Sequence, residues 1–168
     1  IIEGDFSKGL LLLCDHARNT MPEGYGTLGL AENELRRHIA YDIGADAVTR
    51  GLARALGVPA VLSTFSRLLI DPNRGADDPT LVMQLYDGTI IEGNRALSAD
   101  QITARREAYY DPYHTAYESL LSDRVDPIIV AIHSFTPQLS TRPPRPWHIG
   151  ILHAGDTRIS TPLIAELR

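Results

Sequence analysis

The sequence predicts an α/β fold, one domain around a mostly parallel sheet, and three observations carry that reading. Short apolar runs of strand length lie at residues 10–14, 60–65 and 127–132, and the first is continuous, as in a strand buried on both faces. Helical spacing fills the chain between them, which gives the β-α-β order of a parallel sheet. Each run empties at once into polar residues, the way a central strand ends in a loop.

The elements follow in order. Leu10–Cys14 is the first strand, with Asp15, His16 and Arg18 directly after it. Residues 21–29, rich in Gly, read as loop, and residues 32–40 as a short helix. Over residues 42–56, Ala47, Val48, Leu52, Ala55 and Leu56 recur at helical spacing, and Gly57 supplies the stop. Residues 60–65 are the second strand. Residues 71–79 are turn-rich, and residues 81–94 fit either short strands or an excursion around a site. Ser98 and Gln101 form a capping-box pattern for a helix running towards Tyr110. Asp111-Pro112 is expected to interrupt it, with Asp111 as cap and Pro112 in the first turn of a further helix carrying Ala116, Tyr117, Leu120 and Leu121 on one face. The third strand, residues 127–132, ends in His133-Ser134. Residues 147–152 read as a fourth strand, and residues 159–168 begin a helix with no C-terminal cap.

Composition narrows the function classes. The 168 residues, 43% hydrophobic and 22% charged, suffice for one real core and match an ordinary soluble globular protein. A formal net charge of -5 without a Lys/Arg cluster argues against a nucleic-acid partner. Lys8 is the sole lysine among 16 basic residues. Arginine suits bidentate carboxylate recognition, although a GC-rich codon bias yields the same composition. The single cysteine, Cys14, excludes an internal disulfide and fits a reducing compartment. Its strand is too short to span a membrane and lacks the flanks of a signal peptide, so the expected location is cytoplasmic. A chain starting at Ile1 also reads as trimmed.

In an open α/β sheet the active site lies beyond the carboxyl ends of the strands. His16, the Ser66-Arg67 pair and His133 all follow strand-like runs, so they are expected to converge on one sheet edge. Two imidazoles with a carboxylate form a known catalytic zinc set that leaves a position open for water, and Asp42 is the natural third ligand. Spacing alone leaves other roles open: a strand-end His is often structural, and Asp42 stands where a helix N-cap would. Arg67, Asn73 and Arg74 bracket a short apolar segment and could clamp a carboxylate, or face solvent beside Asp77 and Asp78. Tyr109, Tyr110, Tyr113 and His114 form an aromatic cluster in which His114 could meet an oxyanion, or which packs a helix junction. Cys14 lies within a buried strand, where thiols are inert. Ser134 lacks the Gly-x-Ser-x-Gly elbow of a serine nucleophile, and no phosphate-binding glycine loop is present.

Taken together and in order, five motifs resemble those of the N-formylglutamate amidohydrolases. They are Cys14-Asp15-His16-Ala17-Arg18-Asn19, Asp42-Ile43-Gly44-Ala45, Ser66-Arg67 with Asp71-Pro72-Asn73-Arg74, Asp111-Pro112-Tyr113-His114, and His133-Ser134-Phe135. The stretch from Arg145 to Gly150 is similar as well. The resemblance implies a three-layer α/β sandwich with a mostly parallel or mixed central sheet, a phosphorylase/hydrolase-like fold shared with zinc carboxypeptidases and cell-wall amidases. It implies hydrolysis of N-formyl-L-glutamate to formate and L-glutamate in histidine catabolism. Carried onto this sequence, His16, Asp42 and His133 become ligands of zinc or another divalent ion. Arg67, Asn73 and Arg74 hold the glutamyl carboxylates, with Ser134 a further substrate contact and His114 a catalytic candidate. The family's general-base Glu is expected beyond Arg168, so residues 1–168 read as one α/β hydrolase domain lacking its C-terminal part. The partner implied is a small acidic N-acyl amino acid, with no nucleic acid and no membrane. Alternative readings are a zinc amidase on another N-acylated or cell-wall substrate, and a binding protein that keeps the fold without catalysis.

Overall fold

The computed structural model describes residues 1–122 and 124–168. The chain divides into two compact units, Ile1–Thr136 and Pro137–Arg168. The α/β reading applies to the first unit, which holds every strand and the whole candidate site.

A parallel sheet stands at its centre. Strands β1 (Leu10–Cys14), β2 (Ala60–Leu62) and β5 (Ile128–Ala131) align in the order β2-β1-β5, with β1 central. Alternation along β1 splits the core into two layers. Leu11 and Leu13 pack with Val61 under Tyr113, Tyr117, Leu120 and Leu121 of helix α3 (Asp111–Leu121). Leu12 and Cys14 point the other way, towards Ala53 and Ala45 of helix α1 (Ala45–Leu56). Helices on both faces of a parallel sheet make the predicted three-layer sandwich. Each leucine so buried contributes about 1.5–3 kcal/mol relative to exposure.

Several local expectations hold in detail. Gly57 ends α1 in the left-handed region at φ 64°, and its N–H caps the carbonyls of Ala53 and Arg54. Ser98 and Gln101 form the full reciprocal capping box of helix α2 (Ala99–Arg105). Between the second and fifth strands, β3 (Leu85–Tyr86) and β4 (Thr89–Ile90) form a hairpin. Its turn residues Asp87 and Gly88 both have positive φ, 43° and 81°, the signature of a tight type I′ turn.

Elsewhere tertiary packing departs from the local pattern. The apolar stripe of α1 faces outward: Val48 is 53% exposed and Leu56 46%. The small side chains Ala45, Thr49 and Ala53 face the sheet instead, letting the helix approach β1 closely. Residues 32–40 form only a short 3-10 turn, Glu34–Arg36. Asp111-Pro112 does not break the helix. A π turn, Arg106–Tyr110, joins α2 to α3, and Asp111 is already helical. The widened turn accommodates the proline ring, which lacks an N–H and would crowd the preceding carbonyl. Strand β5 is a half-exposed edge strand rather than a fully buried one.

The second unit contains one helix, α4 (Ser160–Glu166). Residues 147–152 form no strand there. Trp147, Ile149 and Leu152 stand exposed, and an apolar run without a ladder partner has no sheet to join. Among the described residues, no helix is long and apolar enough to cross a membrane.

Candidate metal centre

The sheet register brings the two histidines together. β1 and β5 are parallel neighbours with Leu13 opposite Ala131, so the loops leaving their carboxyl ends emerge side by side. His16 and His133, each two residues past its strand, meet with ring centroids 5.1 Å apart. The third member, Asp42, is drawn in by a backbone bond from its N–H to the His16 carbonyl at 2.9 Å. Asp42 is no helix cap: Gly44 occupies that position in the left-handed region, with no side-chain cap bond. The carboxylate is therefore free to turn to the imidazoles. Its Oδ1 lies 3.4 Å from His16 Nδ1, and its Oδ2 2.9 Å from His133 Nδ1. The Ser134 N–H donates to the same Oδ2 at 3.2 Å.

One ligand atom from each of His16, Asp42 and His133 lies within 4.8 Å of the others. This set could hold a metal ion. The fit is supported by His16 itself, whose buried Nδ1 has no hydrogen-bond partner although it faces Asp42. An orphaned buried ring nitrogen is costly unless something binds it.

Each imidazole is gripped from behind by a second carboxylate. His16 Nε2 donates to Asp71 Oδ1 at 2.6 Å, and His133 Nε2 stands 3.1 Å from Asp15 Oδ2. A metal-binding His commonly gives its far N–H to a carboxylate, which fixes the tautomer and ring orientation. Both carboxylates are anchored in turn. The Tyr113 hydroxyl donates to Asp15 Oδ1 at 2.7 Å, and Arg67 Nη2 to Asp71 Oδ2 at 2.7 Å. These outer roles of Asp15, Asp71 and Tyr113 escape sequence reasoning. Asp15 and Asp71 do stand within the quoted motifs, but nothing in the spacing says which turn carboxylate points inward.

The charges are strongly coupled. Burial opposes ionisation of Asp42, but the His133 hydrogen bond and the facing His16 imidazole outweigh it and hold the carboxyl well below its usual range. Burial likewise lowers the His133 pKa, and Asp15 and Asp42 outweigh it, lifting His133 to about 9. Burial pushes the Cys14 thiol up to about 11, which leaves it unreactive at neutral pH.

The remaining candidates surround this centre unevenly. Arg67 is buried between Asp71 and the Tyr86 ring, 5.1 Å from its centroid, with Nη1 3.8 Å from Asp42. Arg74 is partly exposed, its Nε 3.9 Å from Asp71. The Nε atoms of both arginines are buried without an acceptor. Asn73 is exposed, and its backbone N–H binds Asp71. His114 is committed at both nitrogens: Nε2 donates to the Pro72 carbonyl at 3.1 Å, and Nδ1 pairs with the Tyr117 hydroxyl at 2.7 Å.

With this geometry in view, comparison with known proteins decides the family. The sequence model of the N-formylglutamate amidohydrolases matches residues 8–168. The chain belongs to that family. It is also similar to the crystal structure of a gene product from Agrobacterium tumefaciens, at 37% identity and a TM-score of 0.89. The alignment covers 98% of this chain and 65% of that one. No curated protein matches the chain. Family membership and the three-layer fold agree, and the motifs that carry the family resemblance supply each member of the His16-Asp42-His133 set.

Proposed function

We propose that this chain carries the metal centre and part of the substrate pocket of a hydrolase that cleaves N-formyl-L-glutamate to formate and L-glutamate. The observation that carries the reading is the orphaned Nδ1 of His16, facing a carboxylate shared with His133. Family membership supports the reaction class.

His16 and His133 would hold a divalent ion, zinc by the chemistry of the donor set, through their Nδ1 atoms, and Asp42 through its carboxylate. Bound there, zinc would lower the pKa of a water to about 7 and polarise the scissile carbonyl. Asp71 and Asp15 keep both Nδ1 atoms aimed inward by holding the far ring nitrogens. Arg67 and Arg74, whose Nε donors lack acceptors, bind the substrate carboxylates beside the centre. Asn73 and Ser134, tied by their backbone N–H groups to Asp71 and Asp42, are assigned as further substrate contacts. Binding energy from those remote groups orients the amide for attack. His114, with both nitrogens engaged, holds the Pro72 carbonyl and so fixes the turn carrying Asp71, Asn73 and Arg74.

The test is formate release from N-formyl-L-glutamate by the full-length protein, before and after chelation. Release that stops on chelation and returns with zinc is the expected result. Release that persists without metal would refute the mechanism. Cleavage of other N-acyl amino acids with no formate release would move the enzyme to the neighbouring amidase class.

A further inference from the structure

Away from the metal centre, the first unit contains a cavity of about 690 Å³ between the loop at residues 24–29 and helix α2. That is within the size range of small-molecule sites. None of His16, Asp42, Arg67 or His133 lines it. Its walls are mainly apolar, from Tyr25, Leu28, Leu97 and Ala104, with the Gln101 amide at one side.

Arg105 stands in this wall and is only 4% exposed. A buried guanidinium usually meets a carboxylate. Among the described residues, Arg105 has none. Nη1 donates to the Leu69 carbonyl and to Asn94 Oδ1, both at 2.8 Å, and Nη2 reaches the Gly93 carbonyl at 3.4 Å. The Tyr25 ring lies 5.2 Å from the guanidinium carbon. A guanidinium has five N–H donors. The Nε–H and one N–H of Nη2 are left without an acceptor among the described residues, and a carboxylate is the acceptor that suits such guanidinium donors. Burial lowers the Arg105 pKa, and no acidic side chain offsets that cost. Glu92 also borders the cavity, but it is exposed and its carboxylate is turned to Arg95 at 3.3 Å.

We propose that this cavity binds a small carboxylate with an apolar body, its carboxylate on the free N–H donors of Arg105 and its body against Tyr25, Leu28 and Leu97. The site is separate from the metal centre and does not depend on the reaction assigned to it.

The probe is 4-phenylbutyrate, compared with 4-phenylbutan-1-ol, titrated into the full-length protein by calorimetry. The carboxylate should bind saturably and about tenfold or more tighter than the alcohol, since only the carboxylate satisfies the guanidinium. Ala104 is an exposed residue of α2, so Ala104→Trp should fill the cavity without disturbing the core, leave the circular dichroism spectrum unchanged and abolish binding. If that variant does not fold, Leu97→Trp serves the same purpose. Equal affinity for acid and alcohol, absence of saturable binding, or undiminished binding in a folded cavity-filled variant would each overturn the proposal.

Discussion

At the residue scale, the site is an arrangement of carboxylates around two imidazoles. Asp71 is fully buried and serves both His16 and Arg67. Asp71→Asn removes the negative charge while preserving shape. It should weaken metal binding about 10–100-fold, the usual cost of losing an outer carboxylate. It should also destabilise the fold by about 3 kcal/mol, because buried Arg67 loses its closest counter-charge and keeps only the more distant Asp42. Metal titration and urea unfolding check the two effects separately. Protons compete at the same atoms. The metal-free His133 has its pKa raised to about 9, so its charge stabilises the fold below the ordinary value and that contribution is lost as pH rises through 9. A metal ligand must be deprotonated. Metal affinity should therefore climb with pH towards 9 and then level off, while the metal-free protein loses stability over the same interval. Calorimetry in buffers of differing ionisation enthalpy would register the released proton. The two histidines were legible in the sequence because both follow continuous apolar runs. The inward turn of Asp15 and Asp71 was not, since the direction of a loop carboxylate is set by partners distant in sequence.

At the scale of elements, the helices show which local signals survive tertiary packing. The capping box at Ser98 and Gln101 is a short-range device, and it forms as the sequence predicts. Ser98→Ala should cost about 1 kcal/mol of stability, read as a lower midpoint of chemical unfolding with unchanged slope. The α1 stripe is the contrary case. Its apolar periodicity is genuine, but the sheet meets the side bearing Ala45, Thr49 and Ala53, because Leu12 and Cys14 leave room only for small side chains there. Periodicity reports that a helix is two-faced, and the partner surface decides which face is buried. Residues 147–152 make the same point for strands: an apolar run becomes a strand only where a neighbour offers a ladder. Pro112 predicts a break, and a π turn absorbs the ring instead.

At the scale of the whole molecule, the parallel order β2-β1-β5 produces the site. It sets the ends of two neighbouring strands, and the loops after them, at one edge where His16 and His133 meet. The fold class was legible because three apolar runs separated by helical segments permit few other arrangements. Five short motifs scattered over the chain acquire one meaning only when that topology gathers them. His16, Asp42 and His133 are proposed together to hold a metal ion. The most direct test is elemental analysis of the purified full-length protein alongside its His133→Ala variant, both shown to be folded. One equivalent of zinc per chain is expected in the wild type, removable by chelation, and none in the variant. A folded wild type free of metal that takes up none on adding zinc, or a variant that keeps a full equivalent, would contradict it.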